Sequence, residues 1–249
     1  MSKVLWKVNP DSIPDKKKVI GFITDTHIPA EVPGYLKWVQ KVFADKGVNC
    51  VYHGGDIFDY HAASFHEAED EALSGVEEVQ VISERLVHWV KAFPYMTLME
   101  GNHDAIPARK AKKAGLAAVH IRTPHELYPC LTKKWKWKAD YHLVMNGKNG
   151  TEFTHGLGSG GMYGCINTAQ KRGGSLCQGH THAYAAVIVR ANQRRVQFGL
   201  NGGCGFDSDH YAANYGKHFP LKGVVGVSIV YSDTHAEFIP MPMGTKTRV

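Results

Sequence analysis

The sequence predicts an α+β fold with two β-sheets. Strand-like and helix-like segments alternate in the first half of the chain, which is typical of a sheet with crossover helices. After residue 115 short strand-like segments predominate. The 249 residues suffice to bury a core, and we find no repeat or low-complexity linker. We therefore predict a single domain over residues 18–249, preceded by an N-terminal extension over residues 1–17 that Pro10 and Pro14 keep irregular.

The first half begins with an apolar run over residues 19–24, which predicts a buried strand. Apolar residues at helical spacing predict a helix over residues 34–46, and a second strand follows over residues 48–52. A second helix ends before Pro94 and leads into a third strand over residues 95–99. This order predicts a sheet whose strands are joined by helices.

The second half is rich in short strand candidates. A helix is expected near residues 161–171. We expect these elements and the first half to form one compact unit with two sheets. The strand candidates cover residues 141–145, 151–154, 185–190, 197–200, 224–231 and 236–240.

Lysine and tryptophan alternate over residues 133–138. This alternation fits a strand that turns its tryptophans inward and its lysines outward. The alternative is a nucleic-acid platform on which bases stack against the indole rings while phosphates contact the lysines. We favour the packing interpretation and keep the platform as an alternative.

Composition points to a cytoplasmic protein. No apolar stretch is long enough to cross a bilayer, and the first residues lack the apolar core of a signal peptide. The five cysteines are widely spread and form no CxxC pair, which is typical of a reduced protein. We therefore expect no membrane contact. The net charge of +6 is compatible with partners that carry phosphate.

Clusters of metal-type ligands follow each of the first three predicted strands. The carboxyl ends of parallel strands meet at one edge of a sheet, where sites of α/β proteins usually form. Neighbouring carboxylates repel each other, and a divalent cation is the usual reason for bringing them together. The clusters are Asp25 and His27 after the first strand, Asp56 after the second, and Asn102, His103 and Asp104 after the third.

The strand-rich half adds three imidazoles. His155 follows the strand candidate over residues 151–154, and His180 and His182 occupy alternate positions before another apolar strand. Alternate residues of an extended segment point to the same side, so both rings of the HxH pair face one way. Together with the three strand-end clusters, these histidines predict a metal site.

The motifs DxH, GDxxD, GNHD, H and GHTH occur in this order between residues 25 and 182. This order resembles the calcineurin-like metallophosphoesterase superfamily. The resemblance implies a four-layer α/β/β/α sandwich of two mixed sheets flanked by helices, with metals at the rim where the sheet ends meet. It also implies that Asp25, His27 and His182 hold one metal ion, that Asn102, His155 and His180 hold the other, and that Asp56 bridges them.

His103 is not a ligand in the family's pattern, and the resemblance places it against the substrate phosphate and the leaving oxygen. We assign His103 to transition-state stabilisation or general-acid catalysis. Asp104 is expected to hold the His103 ring in the useful tautomer and to raise its pKa. The expected catalytic residues are thus His103 and Asp104.

The expected cofactors are two divalent metal ions. Carboxylate, amide and imidazole ligands without a thiolate suit Mn²⁺ best, with Fe, Zn²⁺ or Ni²⁺ as alternatives. A carboxylate can bridge two ions about 3.5 to 4 Å apart, and a water between them becomes a hydroxide that attacks phosphorus. The expected activity is therefore metal-dependent hydrolysis of a phosphoester.

The substrate is indicated by two departures from the pattern of the protein phosphatases. These enzymes carry arginines at the positions of Tyr60 and Glu100, where they grip phosphoryl oxygens. Their absence favours the branch that resembles DNA-repair nucleases, and hence a phosphodiesterase acting on DNA, RNA or a nucleotide. The alternatives are a phosphomonoesterase for a small metabolite or phosphoprotein, and a noncatalytic metal-binding scaffold. Other candidate substrate contacts are His61, His66, Arg109, Lys112 and Lys113.

Overall fold

The computed structural model describes residues 4–65, 70–147, 149–216 and 220–242. The first half follows the alternation expected from the sequence, because short apolar runs form strands and amphipathic segments form helices. Its elements are β1 (Ile20–Ile23), α1 (Tyr35–Asp45), β2 (Cys50–His53), α2 (Gly75–Ala92), β3 (Met96–Met99), α3 (Ile106–Lys113), α4 (Pro124–Leu127) and β4 (Trp135–Lys138).

The second half is dominated by strands, as the sequence predicts. All six strand candidates and the helix near residues 161–171 are present, with shifts of at most three residues at their ends. These elements are β5 (Tyr141–Leu143), β6 (Thr151–Thr154), α5 (Gly164–Arg172), β7 (Ser175–Gln178), β8 (Ala185–Ala191), β9 (Val196–Gly202), β10 (Gly226–Ser232) and β11 (His235–Pro240).

The strands form two mixed sheets. The first has the order β11-β10-β1-β2-β3-β4, in which β1 to β4 are parallel and β10 pairs antiparallel with both β1 and β11. The second has the order β5-β6-β7-β9-β8, with a parallel centre of β6, β7 and β9 between two antiparallel edge strands. The parallel centres bring the carboxyl ends of several strands to one edge of each sheet.

The two sheets face each other across an apolar layer. Phe153 of β6 packs edge-to-face against Phe22 of β1 and Tyr52 of β2, with ring centroids 5.6 Å and 4.9 Å apart. Helices α1 and α2 cover the outer side of the first sheet, and α5 covers the outer side of the second. The α+β class and the four-layer sandwich expected from the sequence are therefore confirmed.

Three elements were not predicted. Strand β7 has four residues, of which Leu176 and Cys177 alone are apolar, so no periodicity marks it. Helix α3 is short and mostly basic, and its buried residues are Ile106 and Ala111. Helix α4 is a single turn that begins at Pro124. Such short elements carry too few apolar residues to show a period.

The lysine–tryptophan segment forms β4 and pairs in parallel with β3. Trp135 is fully buried and its Nε1 donates a hydrogen bond to the Phe93 carbonyl oxygen at 2.9 Å. Trp137 is half-buried and stacks against Phe58, whereas the two lysines of the strand are exposed. The packing interpretation is therefore confirmed.

The described part of the N-terminal segment contributes to the core through Trp6. The indole is buried, lies against Phe43 and Phe93, and donates a hydrogen bond to the Ala92 carbonyl oxygen at 2.9 Å. The division into an extension and a domain stays a prediction.

Within the described ranges, no helix is both long and apolar enough to span a membrane.

Replacing Trp6 tests whether this segment is energetically part of the fold. We expect Trp6→Ala to lower the free energy of unfolding by about 3 to 5 kcal/mol, because a large buried side chain leaves a cavity. Urea denaturation measures the change. Val8 is 51% exposed, so Val8→Ala should change stability by less than about 0.5 kcal/mol. Equal effects of the two substitutions would contradict this assignment.

Candidate metal centre

The predicted ligands meet where the carboxyl ends of the two sheets come together. Strands β1 and β2 pair in parallel and in register, so Asp25, His27 and Asp56 leave the first sheet at the same edge. Asn102 follows the neighbouring strand β3. The parallel strands β6 and β7 end in the same way before His155, His180 and His182. The topology thus brings the three strand-end clusters and the three histidines to one rim.

A first group of donor atoms contains Asp25, His27 and His182, whose potential ligand atoms all lie within 4.8 Å of one another. The His182 Nε2 atom is 3.2 Å from both the His27 Nε2 and an Asp25 carboxylate oxygen. Asp25 and His27 are buried, and His182 is half-buried. This group has the composition of the first ligand set that the sequence predicts.

A second group contains Asp56, His155 and His180, again with ligand atoms within 4.8 Å of one another. The His155 Nε2 lies 2.9 Å from the Asn102 Oδ1 and 3.3 Å from the Asp56 Oδ2. The same Asp56 oxygen is 3.8 Å from the His27 Nε2. The Asp56 carboxylate therefore lies between the two groups.

The hydrogen bonds of two histidines test whether these groups fit a cation. The Nδ1 of His155 lies 2.9 Å from the Gly54 carbonyl oxygen, which can only accept, so this nitrogen donates. The Nδ1 of His27 donates in the same way to an Asp59 carboxylate oxygen at 2.8 Å. The Nε2 of each ring then faces oxygen or nitrogen atoms of other predicted ligands. Metal-binding histidines typically donate their second nitrogen to carbonyls or carboxylates, so the donor set fits a metal.

The pKa values of the second group reflect the same need for positive charge. Burial disfavours the protonated ring of His155, but the hydrogen bond and charge of Asp56 outweigh it and raise the pKa of His155 to about 10. Burial alone would raise the pKa of Asp56, yet His155 and the neighbouring histidines hold it well below its usual range. These buried carboxylates are thus stabilised by cations.

The backbone is strained where the predicted ligands lie. Asp25, His27, Asp56 and His180 have φ angles of 48°, 47°, 53° and 68°. Among the described residues other than glycine, Tyr60 alone shares this left-handed conformation. Such conformations cost about 1 kcal/mol or more each and cluster at functional sites. The strain therefore marks these residues as parts of a site.

A close approach of two loops fixes Asp56. A Cβ atom at Gly101 would lie 2.0 Å from the Asp56 Oδ1, so only glycine fits at this position. The backbone N–H of His103 donates to the same oxygen at 2.8 Å. The GNHD motif thus holds the carboxylate that lies between the two groups.

The ring of His103 is held by Asp59. Its Nδ1 donates to the Asp59 carbonyl oxygen at 2.8 Å and lies 3.4 Å from an Asp59 carboxylate oxygen. Burial opposes protonation of His103, but the carboxylates of Asp59 and Asp56 prevail and raise its pKa to about 9. Asp59 therefore links His103 to His27.

The role expected of Asp104 is wrong. Its carboxylate accepts backbone N–H groups from Asp56, Ile57, Phe58 and Gly101, at 2.9 to 3.1 Å. Asp104 therefore stabilises the turn that carries Asp56, whereas the partner of His103 is Asp59. Adjacency in sequence suggested the wrong carboxylate. Asp59 is the second aspartate of the GDxxD motif, and its position in that motif was the sequence signal that could have identified it.

The positions of the missing arginines contain no substitute cation. Tyr60 is buried and its hydroxyl accepts a hydrogen bond from Tyr128 at 3.3 Å, whereas Glu100 is exposed. Of the suggested substrate contacts, His61 lies beside Asp59, and Arg109 and Lys113 lie over the Phe65 ring. Lys112 is exposed, and His66 lies outside the described residues.

A cleft of about 350 Å³ opens onto the site. Its lining contains five of the predicted site residues, namely Asp56, Asn102, His103, His180 and His182. Among the described residues of this lining, Lys222 is the single lysine or arginine. The cleft is therefore the approach by which a ligand can reach both donor groups.

The family model for calcineurin-like phosphoesterases matches residues 18–184, which is more than half of the chain. The chain belongs to this family. The matched residues include all five motifs and both groups of donor atoms, and the family resemblance seen in the sequence is confirmed. The comparison with curated proteins gives no match.

Several solved structures are similar to the chain. Vacuolar protein sorting 29 from Cryptosporidium parvum is 15% identical over 90% of this chain and 96% of that chain, with a TM-score of 0.41. Vps29 from Chaetomium thermophilum is 11% identical over 90% and 97%, with a TM-score of 0.43. The phosphoesterase Yfce from E. coli is 18% identical over 89% and 98%, with a TM-score of 0.38.

The two aspartates around His103 can be distinguished by titration. Because the Asp59 carboxylate favours the protonated ring, Asp59→Asn should lower the pKa of His103 from about 9 towards the ordinary value of about 6.5. Asp104→Asn should leave the pKa raised while destabilising the fold. NMR titration of the ring in metal-free protein measures both. A drop in Asp104→Asn alone would restore the original assignment.

Proposed function

We propose that the protein is a dinuclear metal-dependent phosphodiesterase whose substrate is a nucleic acid or a nucleotide. The observation that carries this proposal is the position of the Asp56 carboxylate, 3.3 Å from the His155 Nε2 and 3.8 Å from the His27 Nε2. A carboxylate between two groups of metal-type donors is the arrangement that a bridging ligand needs.

The proposed ligands are those expected from the sequence. The donors are carboxylate and amide oxygens and imidazole nitrogens, which favour Mn²⁺, with Fe, Zn²⁺ or Ni²⁺ as alternatives. When bound, two such ions activate a water as the nucleophile and withdraw charge from the phosphoryl oxygens. Asp25, His27 and His182 would hold one ion, Asn102, His155 and His180 the other, and Asp56 both.

His103 is the proposed general acid. Its Nδ1 faces Asp59, so its Nε2 is the nitrogen left for the substrate, and His103 lines the cleft. The Asp59 carboxylate raises the pKa of this ring and so favours its protonated form, which suits donation of a proton to the leaving oxygen. Asp59 is a positioning residue that holds the ring and favours its charged form.

The preference for diesters rests on charge. A phosphomonoester is a dianion near neutral pH, whereas a diester carries one negative charge. Tyr60 and Glu100 stand where the protein phosphatases carry arginines, and Lys222 is the single lysine or arginine among the described residues of the cleft lining. The cleft therefore lacks the two arginines that bind phosphoryl oxygens in the protein phosphatases, and this favours a monoanionic diester as the substrate.

The proposed compartment is the cytoplasm. The five cysteines all lie in the described residues and form no disulfide bond with one another, and Cys50, Cys165, Cys177 and Cys204 are buried. Cysteines without disulfide bonds are typical of proteins kept in a reducing compartment.

Hydrolysis assays test the function. Manganese-loaded protein should hydrolyse bis-p-nitrophenyl phosphate with a higher kcat/KM than p-nitrophenyl phosphate, lose activity on chelation and regain it when Mn²⁺ is restored.

His103→Ala should keep both ions, measured by elemental analysis, but lose about 10² to 10⁴-fold in kcat, as expected for a general acid.

Each other outcome of these assays has a defined meaning. Turnover of the monoester alone would replace the diesterase with a phosphomonoesterase. Tight metal binding without any hydrolysis would favour a noncatalytic scaffold. Loss of metal from His103→Ala would reassign this histidine as a ligand.

A further inference from the structure

The lining of the cleft has a polar part and an apolar part. The predicted ligands and His103 belong to the polar part, which we call the polar side, with Thr181, Ser208 and Lys222. The apolar part is formed by Tyr184, Phe206, Ala213 and Leu221, which we call the apolar wall. An inorganic phosphate would contact only the polar side, which leaves the apolar wall available to another part of a ligand.

Phe206 fixes the wall against the proposed metal ligands. It is 5% exposed, and its ring centroid lies 4.8 Å from that of His27 and 5.6 Å from that of His182. Its backbone forms a bridge with Glu31, and the adjacent Gly205 carbonyl accepts the Val32 N–H at 2.9 Å. The base of the wall is thus a fixed aromatic surface next to the site.

Leu221 forms the rim of the wall. It is 54% exposed although it is a large apolar residue. The residues that follow it are hydrogen-bonded to the site. The Val224 N–H donates to the His182 carbonyl oxygen at 2.8 Å, and the Val224 carbonyl oxygen accepts the Cys204 N–H at 2.9 Å. The rim is therefore attached to the loop that carries a proposed ligand, and its exposed apolar surface faces the cleft.

Tyr184 continues the wall from the ligand loop. It follows His182 by two residues and is half-buried, and its backbone N–H donates to the Thr181 carbonyl oxygen at 3.0 Å. This turn ties the position of the tyrosine to that of His182. The wall and the polar side therefore meet along a single loop.

The wall is formed mostly by residues outside the match to the family. That match ends at residue 184, whereas Phe206, Ala213 and Leu221 follow it. The residues that would hold the proposed metals therefore lie inside the match, and three of the four wall residues lie outside it. Such a division is expected when one region supplies the chemistry and another distinguishes substrates.

We propose that the apolar wall binds an aromatic or similarly apolar part of the group esterified to the phosphorus, such as the base of a nucleotide, and so determines which phosphoesters the site accepts. This inference rests on the proposed function. Cavities of about 300 Å³ or more are typical of small-ligand sites, and this cleft of about 350 Å³ can hold one such group beside the phosphoryl centre. The wall would also exclude water from that side of the substrate.

Calorimetry with two phosphonates tests the wall without turnover. Methylphosphonate and phenylphosphonate share the head group that binds metals, but only the second carries a ring. Manganese-loaded wild-type protein should bind phenylphosphonate at least about 10-fold more tightly, because the ring leaves water for the wall. In Leu221→Asn and in Tyr184→Ser the preference should fall to about 3-fold or less.

A matched variant serves as the control. Leu116 is 52% exposed, a fraction similar to the 54% of Leu221, but it is not part of the cleft lining. Leu116→Asn should therefore keep the wild-type preference. Thermal unfolding of all variants checks that they are folded. Equal binding of the two phosphonates by wild type, no binding of either, or an unchanged preference in both wall variants would overturn the inference.

The same proteins separate this inference from the proposed function. A preference for phenylphosphonate without hydrolysis of bis-p-nitrophenyl phosphate would overturn the function and support the wall. Hydrolysis of the diester with equal affinity for the two phosphonates would support the function and overturn the wall.

Discussion

The burial of two carboxylates at the junction of the sheets is the constraint on which the rest of the site depends. Asp25 and Asp56 are 0% and 2% exposed, and an uncompensated charge at that depth would cost far more than a protein's net stability. The neighbouring imidazoles supply compensation, and their own second nitrogens donate to Gly54 and Asp59. Cationic charge between the carboxylates is therefore the condition under which this arrangement is stable.

The surrounding loops are shaped by the same constraint. Left-handed backbone at Asp25, His27, Asp56 and His180 turns these side chains towards a common point. Such strain persists only where other contacts fix it, and the Asp104 carboxylate provides several of them through the N–H groups of the turn after Asp56. These backbone conformations lower the stability of the fold locally but hold the site in place, as is usual at binding and catalytic sites.

Much of the site could be predicted because it depends on parallel strands. Strand ends at one edge bring Asp25, Asp56 and Asn102 together whatever the details of the loops. The pairing of side chains inside the site could not be predicted in this way. Asp104 follows His103 in the sequence, yet Asp59 is its partner, because loop conformation decides which carboxylate reaches the ring.

The fold shows the same division between what sequence patterns reveal and what tertiary packing decides. Apolar runs and helical spacing predicted β1 to β3 and the two helices between them, whereas β7 is too short to show a period. The burial of Trp6 depends on contacts with residues far along the chain. The apolar wall likewise combines Tyr184 with Leu221, and no local sequence pattern predicts that these two residues line the same cleft.

Anomalous diffraction from crystals of the manganese-loaded protein tests whether Asp56 lies between two metal ions. We expect two manganese peaks, one beside Asp25, His27 and His182 and one beside Asn102, His155 and His180, with the Asp56 carboxylate contacting both. A single peak, or a peak held by His103 or Asp59, would contradict this expectation.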